Sequence, residues 1–171
     1  MGRFQPFHMG HLNLVKQILD ECDEVIIVIT SSQFNYLEKD PFTAGERIEM
    51  IHNSLKKSDV DLSRCFVVAI ENQLNIATWA SYLKAALPYF DKVYSGNEYV
   101  KMLLADSAIH VISPKFLDRL QFNVTRIRSM MISDDNWQNL VPTAVVEFLE
   151  KINAKKRLDI ISKSDTKPTE Y

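Results

Sequence analysis

The sequence predicts an α/β fold: an open parallel sheet held between helix layers, with a helical C-terminal segment. Three observations predict it. Short β-branched runs are apolar on both faces, as strands buried between two layers must be. These runs alternate with stretches whose apolar residues recur at helical spacing. From Val124 onward the strand-like runs stop and helical spacing takes over.

Leu12, Val15, Ile18, Leu19 and Cys22 share one face of a first helix, which feeds the run Val25-Ile26-Ile27-Val28-Ile29. Thr43 to Leu55 reads as a second helix and Cys65 to Ile70 as a second strand. Ile76 to Leu87 follows as a helix and Val93 to Ser95 as a short strand. A further alternation runs through Glu98–Leu104 and Ile109–Ile112. In the C-terminal part, Trp137 to Ile152 is the most amphipathic helical stretch, and the polar, lysine-rich remainder from Ala154 is expected to fray. The expected organisation is a single domain over residues 1–153, C-terminal helices included, and a polar tail over 154–171. Parallel strands imply right-handed crossovers, with ligands bound beyond the carboxyl ends of the strands.

The 171 residues, 46% hydrophobic and 25% charged, suit one globular domain with an ordinary core. A formal net charge of -2 gives no broad attraction to nucleic acid or to an anionic membrane, so any phosphate site must be local. Cys22 and Cys65 have neither C-x-x-C nor metal-ligand spacing, which points to reduced thiols. No signal peptide or bilayer-length apolar run is present, and the expected location is the cytoplasm. The four glycines, Gly2, Gly10, Gly45 and Gly96, all fall in stretches that carry candidate chemistry, where backbone would approach a ligand or adopt positive φ.

The first such stretch is Gly2-Arg3-Phe4-Gln5-Pro6-Phe7-His8-Met9-Gly10-His11, opening the first helix. Histidines three apart share a face there, and Gly10 leaves room for a phosphate at the helix start. Imidazole N–H groups and the Arg3 fork can donate to phosphate oxygens that gain charge during displacement at phosphorus. The structural alternative is one capping and one core histidine. H-E-x-x-H spacing for zinc is absent.

G-R-F-Q-P-F-H-x-G-H resembles the signature of archaeal-type nicotinamide-mononucleotide (NMN) adenylyltransferases, members of the (H/T)-x-G-H nucleotidyltransferase superfamily. The resemblance continues to about Ile152 and implies a Rossmann-like fold. Asp40-Pro41-Phe42-Thr43-Ala44-Gly45-Glu46-Arg47 is similar to the family's N-P-F-T-A-G-E-R; Thr43 and Glu46 form a T-x-x-E capping box, which leaves Arg47 for a nucleotide or subunit contact. Tyr94-Ser95-Gly96-Asn97 resembles V-Y-S-G-N and reads equally as a turn with an asparagine helix cap. Asn123-Val124-Thr125-Arg126-Ile127-Arg128 aligns with S-x-T-x-x-R, with Asn123 in place of the serine. Trp79 aligns with a tryptophan implied to stack on nicotinamide, whereas on its own residues it reads as core.

The resemblance implies transfer of the adenylyl group of ATP to the 5′-phosphate of NMN, giving NAD and pyrophosphate, with Mg²⁺ carried in on ATP and no protein metal site. It assigns His8, His11, Arg3 and Arg128 to catalysis. Gly2, Phe4, Gln5, Gly10, Gly96, Asn97, Asn123 and Thr125 go to ATP and its phosphates, and Trp79 and Arg47 to NMN. It implies a homo-oligomer, with a hexamer the expected form. Two alternatives stay open: adenylylation of another phosphate such as FMN or phosphopantetheine, and a non-catalytic nucleotide-binding regulator. In relatives a short apolar strand precedes G-R-F-Q, whereas Met1 abuts Gly2 here; the expectation is that the natural protein begins several residues upstream.

Overall fold

A computed structural model describes residues 1–115 and 122–164. β1 (Val25–Ile29) pairs in parallel with β2 (Cys65–Ala69), Val25 opposite Cys65 and Ile29 opposite Ala69. β3 (Lys92–Tyr94) pairs in parallel with β4 (His110–Ile112). The parallel order is as the sequence predicts, but the strands form two pairs rather than one sheet. A parallel bridge from Gly2 to Ile29 adds a single residue beside β1.

The alternation along β1 explains the layered arrangement. Val25, Ile27 and Ile29 enter one hydrophobic cluster, built with Phe7 and Leu12 and with residues of the C-terminal helices. Val28 belongs to a second cluster with Ile70, Leu83, Leu104 and Ile109, and Ile26 packs against it. Side chains that alternate across a strand meet a different core on each face, which is why this run lacks polar residues.

Seven helices are described: α1 (Met9–Glu21), α2 (Ala44–Lys57), α3 (Trp79–Ala86), α4 (Glu98–Leu104), α5 (Val124–Ser133), α6 (Thr143–Lys151) and α7 (Ala154–Lys163). α1 lies against β1, α2 against both β1 and β2, and α5 and α6 both pack on α7. The stretch from Trp137 to Ile152 is a 3₁₀ turn followed by α6, because Pro142 cannot continue a helix and instead precedes the first turn.

The expected fraying from Ala154 is corrected by α7. Ala154 and Leu158 are buried one helical turn apart, so the lysines occupy the outer face of a docked helix. The expected part of the tail beyond residue 164 lies outside the described residues. The glycine expectation also changes. Positive φ occurs at Phe4, Ser31, Tyr36, Asp59, Asp134 and Asn153, and at none of the described glycines.

Candidate active site

The amino-terminal loop is fixed at both ends before any ligand arrives. Gly2 donates its N–H to the Val28 carbonyl at 3.0 Å and accepts the Thr30 N–H at 2.9 Å, which places the loop at the carboxyl end of β1. Gln5, fully buried, clamps the Phe42 backbone: its amide nitrogen donates to the Phe42 carbonyl at 3.0 Å and its oxygen accepts the Phe42 N–H at 2.9 Å. Phe4 adopts φ 51°, a conformation disfavoured for a bulky side chain. Packing holds it there: its ring lies 5.8 Å from that of Phe7 and meets His11 edge-on at 4.7 Å.

His8 is the N-cap of α1, and it forms a reciprocal capping box with His11. The His11 N–H donates to His8 Nδ1 at 3.3 Å, and the His8 N–H donates to His11 Nδ1 at 3.2 Å. The two rings stack with centroids 3.5 Å apart. Each Nδ1 is an acceptor, so in a neutral ring the proton must sit on Nε2. Burial brings His8 down from 6.5 to about 4. Burial, then the neighbouring His8 and the amino terminus, holds His11 well below the usual range. Both imidazoles are therefore neutral near pH 7 and carry an Nε2–H donor at the start of a helix, where backbone dipoles favour an anion.

Arg128 comes to the same loop from α5. Its side chain donates to the Gln5 carbonyl at 2.8 Å across 123 positions of sequence, and the residue is buried. Phe122, just before α5, stacks on His8 at 5.9 Å. A Cβ built on Gly10 would meet the His8 ring and Phe122 Cβ at 3.2 Å, so the starts of α1 and α5 adjoin. Asn123 caps α5, accepting the Thr125 and Arg126 N–H groups at 2.9 and 3.2 Å. Asn123, which stands in place of the motif's serine, thus caps the helix, and Thr125 is exposed in the first turn.

Arg3 is exposed, and its guanidinium lies 3.6 Å from the buried Asp40 carboxylate. Sequence reasoning passed over Asp40. Its Oδ1 is buried with no hydrogen-bond partner among the described residues. Its charge supports the protonated forms of Arg47 and Arg128 against burial, which works against both, and against the repulsion of Arg3. The signal available was a carboxylate just before Pro41-Phe42, in a stretch whose other charged residues are the capping Glu46 and Arg47.

Arg47, which the resemblance assigns to NMN, makes its hydrogen bonds inside the protein. It is fully buried, and it donates to the carbonyls of Thr43, Arg3, Thr30 and Ser31 at 2.9 to 3.2 Å. It braces the loop from within. Trp79 is half-buried and packs on the second core cluster, with no described contact to the histidines. Gly96 and Asn97 stand at the carboxyl end of β3, where Asn97 caps α4 by accepting the Tyr99 N–H at 3.0 Å. His8, His11, Gln5, Arg128 and Arg3 are therefore brought together, with Asn123 and Thr125 beside them.

Residues 1–166 match a family model described as cytidylyltransferase-like. A nicotinamide-nucleotide adenylyltransferase of Caldivirga maquilingensis is 46% identical over 169 residues, covering 98% of this chain and 95% of the relative. The Saccharolobus solfataricus protein of the same name is 41% identical over 164 residues, covering 96% and 95%. Among solved structures, a bifunctional NMN adenylyltransferase/ADP ribose pyrophosphatase from Francisella tularensis, in complex with AMP and a manganese ion, matches with a TM-score of 0.79 at 20% identity. That match takes in 95% of this chain but spans only 50% of the bifunctional protein, and it is a likeness of fold.

Proposed function

The chain belongs to the nicotinamide-nucleotide adenylyltransferase family, and from that premise we propose that it transfers the adenylyl group of ATP to the 5′-phosphate of NMN, giving NAD and pyrophosphate. The observation that carries this reading is the pair of reciprocally capped histidines, with Arg128 held on the same loop.

An NMN phosphate oxygen attacks the α-phosphorus of ATP in line with the bond to the bridging oxygen. That bond breaks, and pyrophosphate leaves with the electron pair. Negative charge builds on the α-phosphate oxygens and on the departing group, so preorganised donors supply the acceleration. The Nε2–H groups of His8 and His11 serve the α- and β-phosphates, and Arg3 and Arg128 neutralise phosphate charge. Thr125 and Asn123 attend the far end of the triphosphate, beside the N-terminus of α5. Gly2, Phe4, Gln5 and Gly10 shape the loop around ATP, with Gln5 acting through its clamp on Phe42. Gly96 and Asn97 meet the nucleotide, and Trp79 the nicotinamide ring. Mg²⁺ enters as part of the ATP substrate. The protein works in the cytoplasm as a homo-oligomer, with a hexamer as the proposed assembly.

A coupled assay tests this reading by presenting ATP with NMN or with nicotinic acid mononucleotide, and scoring dinucleotide and pyrophosphate together. Stoichiometric NAD and pyrophosphate are expected. Binding of ATP without product would make the chain a nucleotide sensor instead.

A further inference from the structure

Of the three guanidiniums around the amino-terminal loop, two are committed to the protein. Arg47 donates to four backbone carbonyls and Arg128 to the Gln5 carbonyl. Arg3 differs. Its backbone is pinned, because its carbonyl accepts from Arg47 and its neighbour Gly2 pairs with the Val28 carbonyl and the Thr30 N–H. Its side chain is 43% exposed, and the guanidinium donates no hydrogen bond among the described residues. What faces it is the Asp40 carboxylate at 3.6 Å, a separation that gives charge attraction without a hydrogen bond.

Asp40, by contrast, is held still. Its N–H donates to the Leu37 carbonyl at 3.0 Å and its carbonyl accepts the Leu37 N–H at 3.3 Å, which closes a turn. Two residues on, Phe42 is clamped by Gln5. Glu38 and Lys39 on that turn are exposed, whereas Asp40 is 7% exposed, with Oδ1 unpartnered among the described residues. A buried carboxylate oxygen left without a donor is costly, so hydrogen bonding does not account for an acid at this position. The family motif that this stretch resembles has asparagine here, so the motif does not require the charge either.

A fixed carboxylate thus stands beside a guanidinium that is free to turn. We propose that Asp40 is a positioning residue that acts through Arg3, holding its guanidinium at the rim of the empty site and competing with phosphate for it. This rests on the reading of the loop as a triphosphate site. Arg3 turns from Asp40 to a phosphate oxygen as the nucleotide arrives, and it turns back as pyrophosphate departs. The attraction given up at Asp40 offsets part of the attraction gained at phosphate, so the pair weakens the hold on pyrophosphate and speeds its release.

Calorimetry with inorganic pyrophosphate tests this without turnover, on the full chain and on Asp40→Asn, Arg3→Met and the double variant. Asp40→Asn keeps the size and removes the charge, and it should tighten pyrophosphate binding about fivefold or more, because Arg3 no longer leaves a charged partner. In the Arg3→Met background the same change should alter the affinity by less than about twofold. During turnover, Asp40→Asn should lower the KM for ATP and make pyrophosphate a stronger product inhibitor. A purely structural carboxylate would move Tm and leave no such coupling to Arg3. If Asp40→Asn does not fold, the Arg3 Nε–H resonance of the unaltered protein is followed instead, and it should shift as pyrophosphate is added. Unchanged or weaker pyrophosphate binding by folded Asp40→Asn, an equal gain without Arg3, or an Arg3 signal unmoved at saturation would overturn the proposal while leaving the site reading in place. Failure of the unaltered protein to bind pyrophosphate at all would sink both.

Discussion

Arg157 on α7 grips Glu46 with two parallel hydrogen bonds, Nη1 to Oε2 at 2.7 Å and Nη2 to Oε1 at 2.8 Å. Glu46 Oε2 also accepts the Thr43 N–H at 2.9 Å, so one carboxylate closes the capping box of α2 and anchors the C-terminal helix. Burial works against this carboxylate, but the Arg157 and Thr43 hydrogen bonds outweigh it and hold Glu46 below its ordinary range. The Arg157 guanidinium also lies 5.0 Å from the centre of the Tyr36 ring.

Arg157→Ala is accordingly expected to cost on the order of 2 kcal/mol, since it strips a charge-assisted, mostly buried pair. Arg157→Lys should recover only part of that, because an ammonium cannot make the fork. Urea unfolding of the three proteins checks both; an unchanged midpoint for Arg157→Ala would deny the strap.

For Arg47, the expected outcome separates a brace from a substrate contact. Its side chain is fully buried, and of its four carbonyl acceptors those of Arg3 and Thr30 have no backbone donor among the described residues to replace it, so Arg47→Met should destabilise by on the order of 3 kcal/mol. Arg47→Lys, which keeps a charge but not the fork, should lower Tm while raising the KM for ATP and for NMN alike. A selective rise in the KM for NMN at unchanged Tm would place Arg47 at the mononucleotide after all.

Gly10 sits in the first turn of α1 without positive φ, so alanine there gains helix propensity of about 1 kcal/mol. The added Cβ, however, meets the His8 ring and Phe122 at 3.2 Å. Gly10→Ala should leave Tm within a few degrees while lowering kcat by roughly tenfold or more, through displacement of the His8 donor. Steady-state kinetics and a thermal melt on one preparation decide the matter, and loss of both together would indicate a folding role only.

Acid stability follows from the buried imidazole of His8. Its folded value of about 4 lies below the ordinary 6.5, so between those values the unfolded chain binds more protons and stability falls as pH drops through the window. The contribution is fully present above pH 6.5 and amounts to on the order of 3 kcal/mol. His8→Asn keeps a capping acceptor for the His11 N–H but cannot titrate, so its stability should vary less from pH 6.5 to 4. Denaturant unfolding at several pH values gives both slopes. Parallel slopes would rule the histidine out as their source.

The alternation of strands and helices was legible because it rests on local periods. The β-branched run Val25–Ile29 and the apolar face of α1 stand where their spacing places them. The break at Pro142 was legible in principle, but the amphipathic stretch on either side masked it. Helix α7 was misread because its composition is charged, while its docking depends on Ala154, Leu158 and a long-range arginine partner. In the candidate site, the shared face of His8 and His11 followed from their spacing. Their mutual capping, and the tautomer it selects, depends on ring orientation that spacing does not carry. The bracing by Arg47 was not legible because three of its four acceptors, the carbonyls of Arg3, Thr30 and Ser31, come from distant backbone. The separation of the strands into two pairs is likewise a property of edges, not of any one strand.

The most direct measurement is a nitrogen-15 NMR spectrum of the two imidazoles at pH 7, recorded before and after addition of a non-hydrolysable ATP analogue. Two neutral rings protonated at Nε2 are predicted in the free protein, and both Nε2–H signals should move downfield as the analogue binds. Rings protonated at Nδ1, or Nε2–H signals unmoved at saturating analogue, would contradict the account.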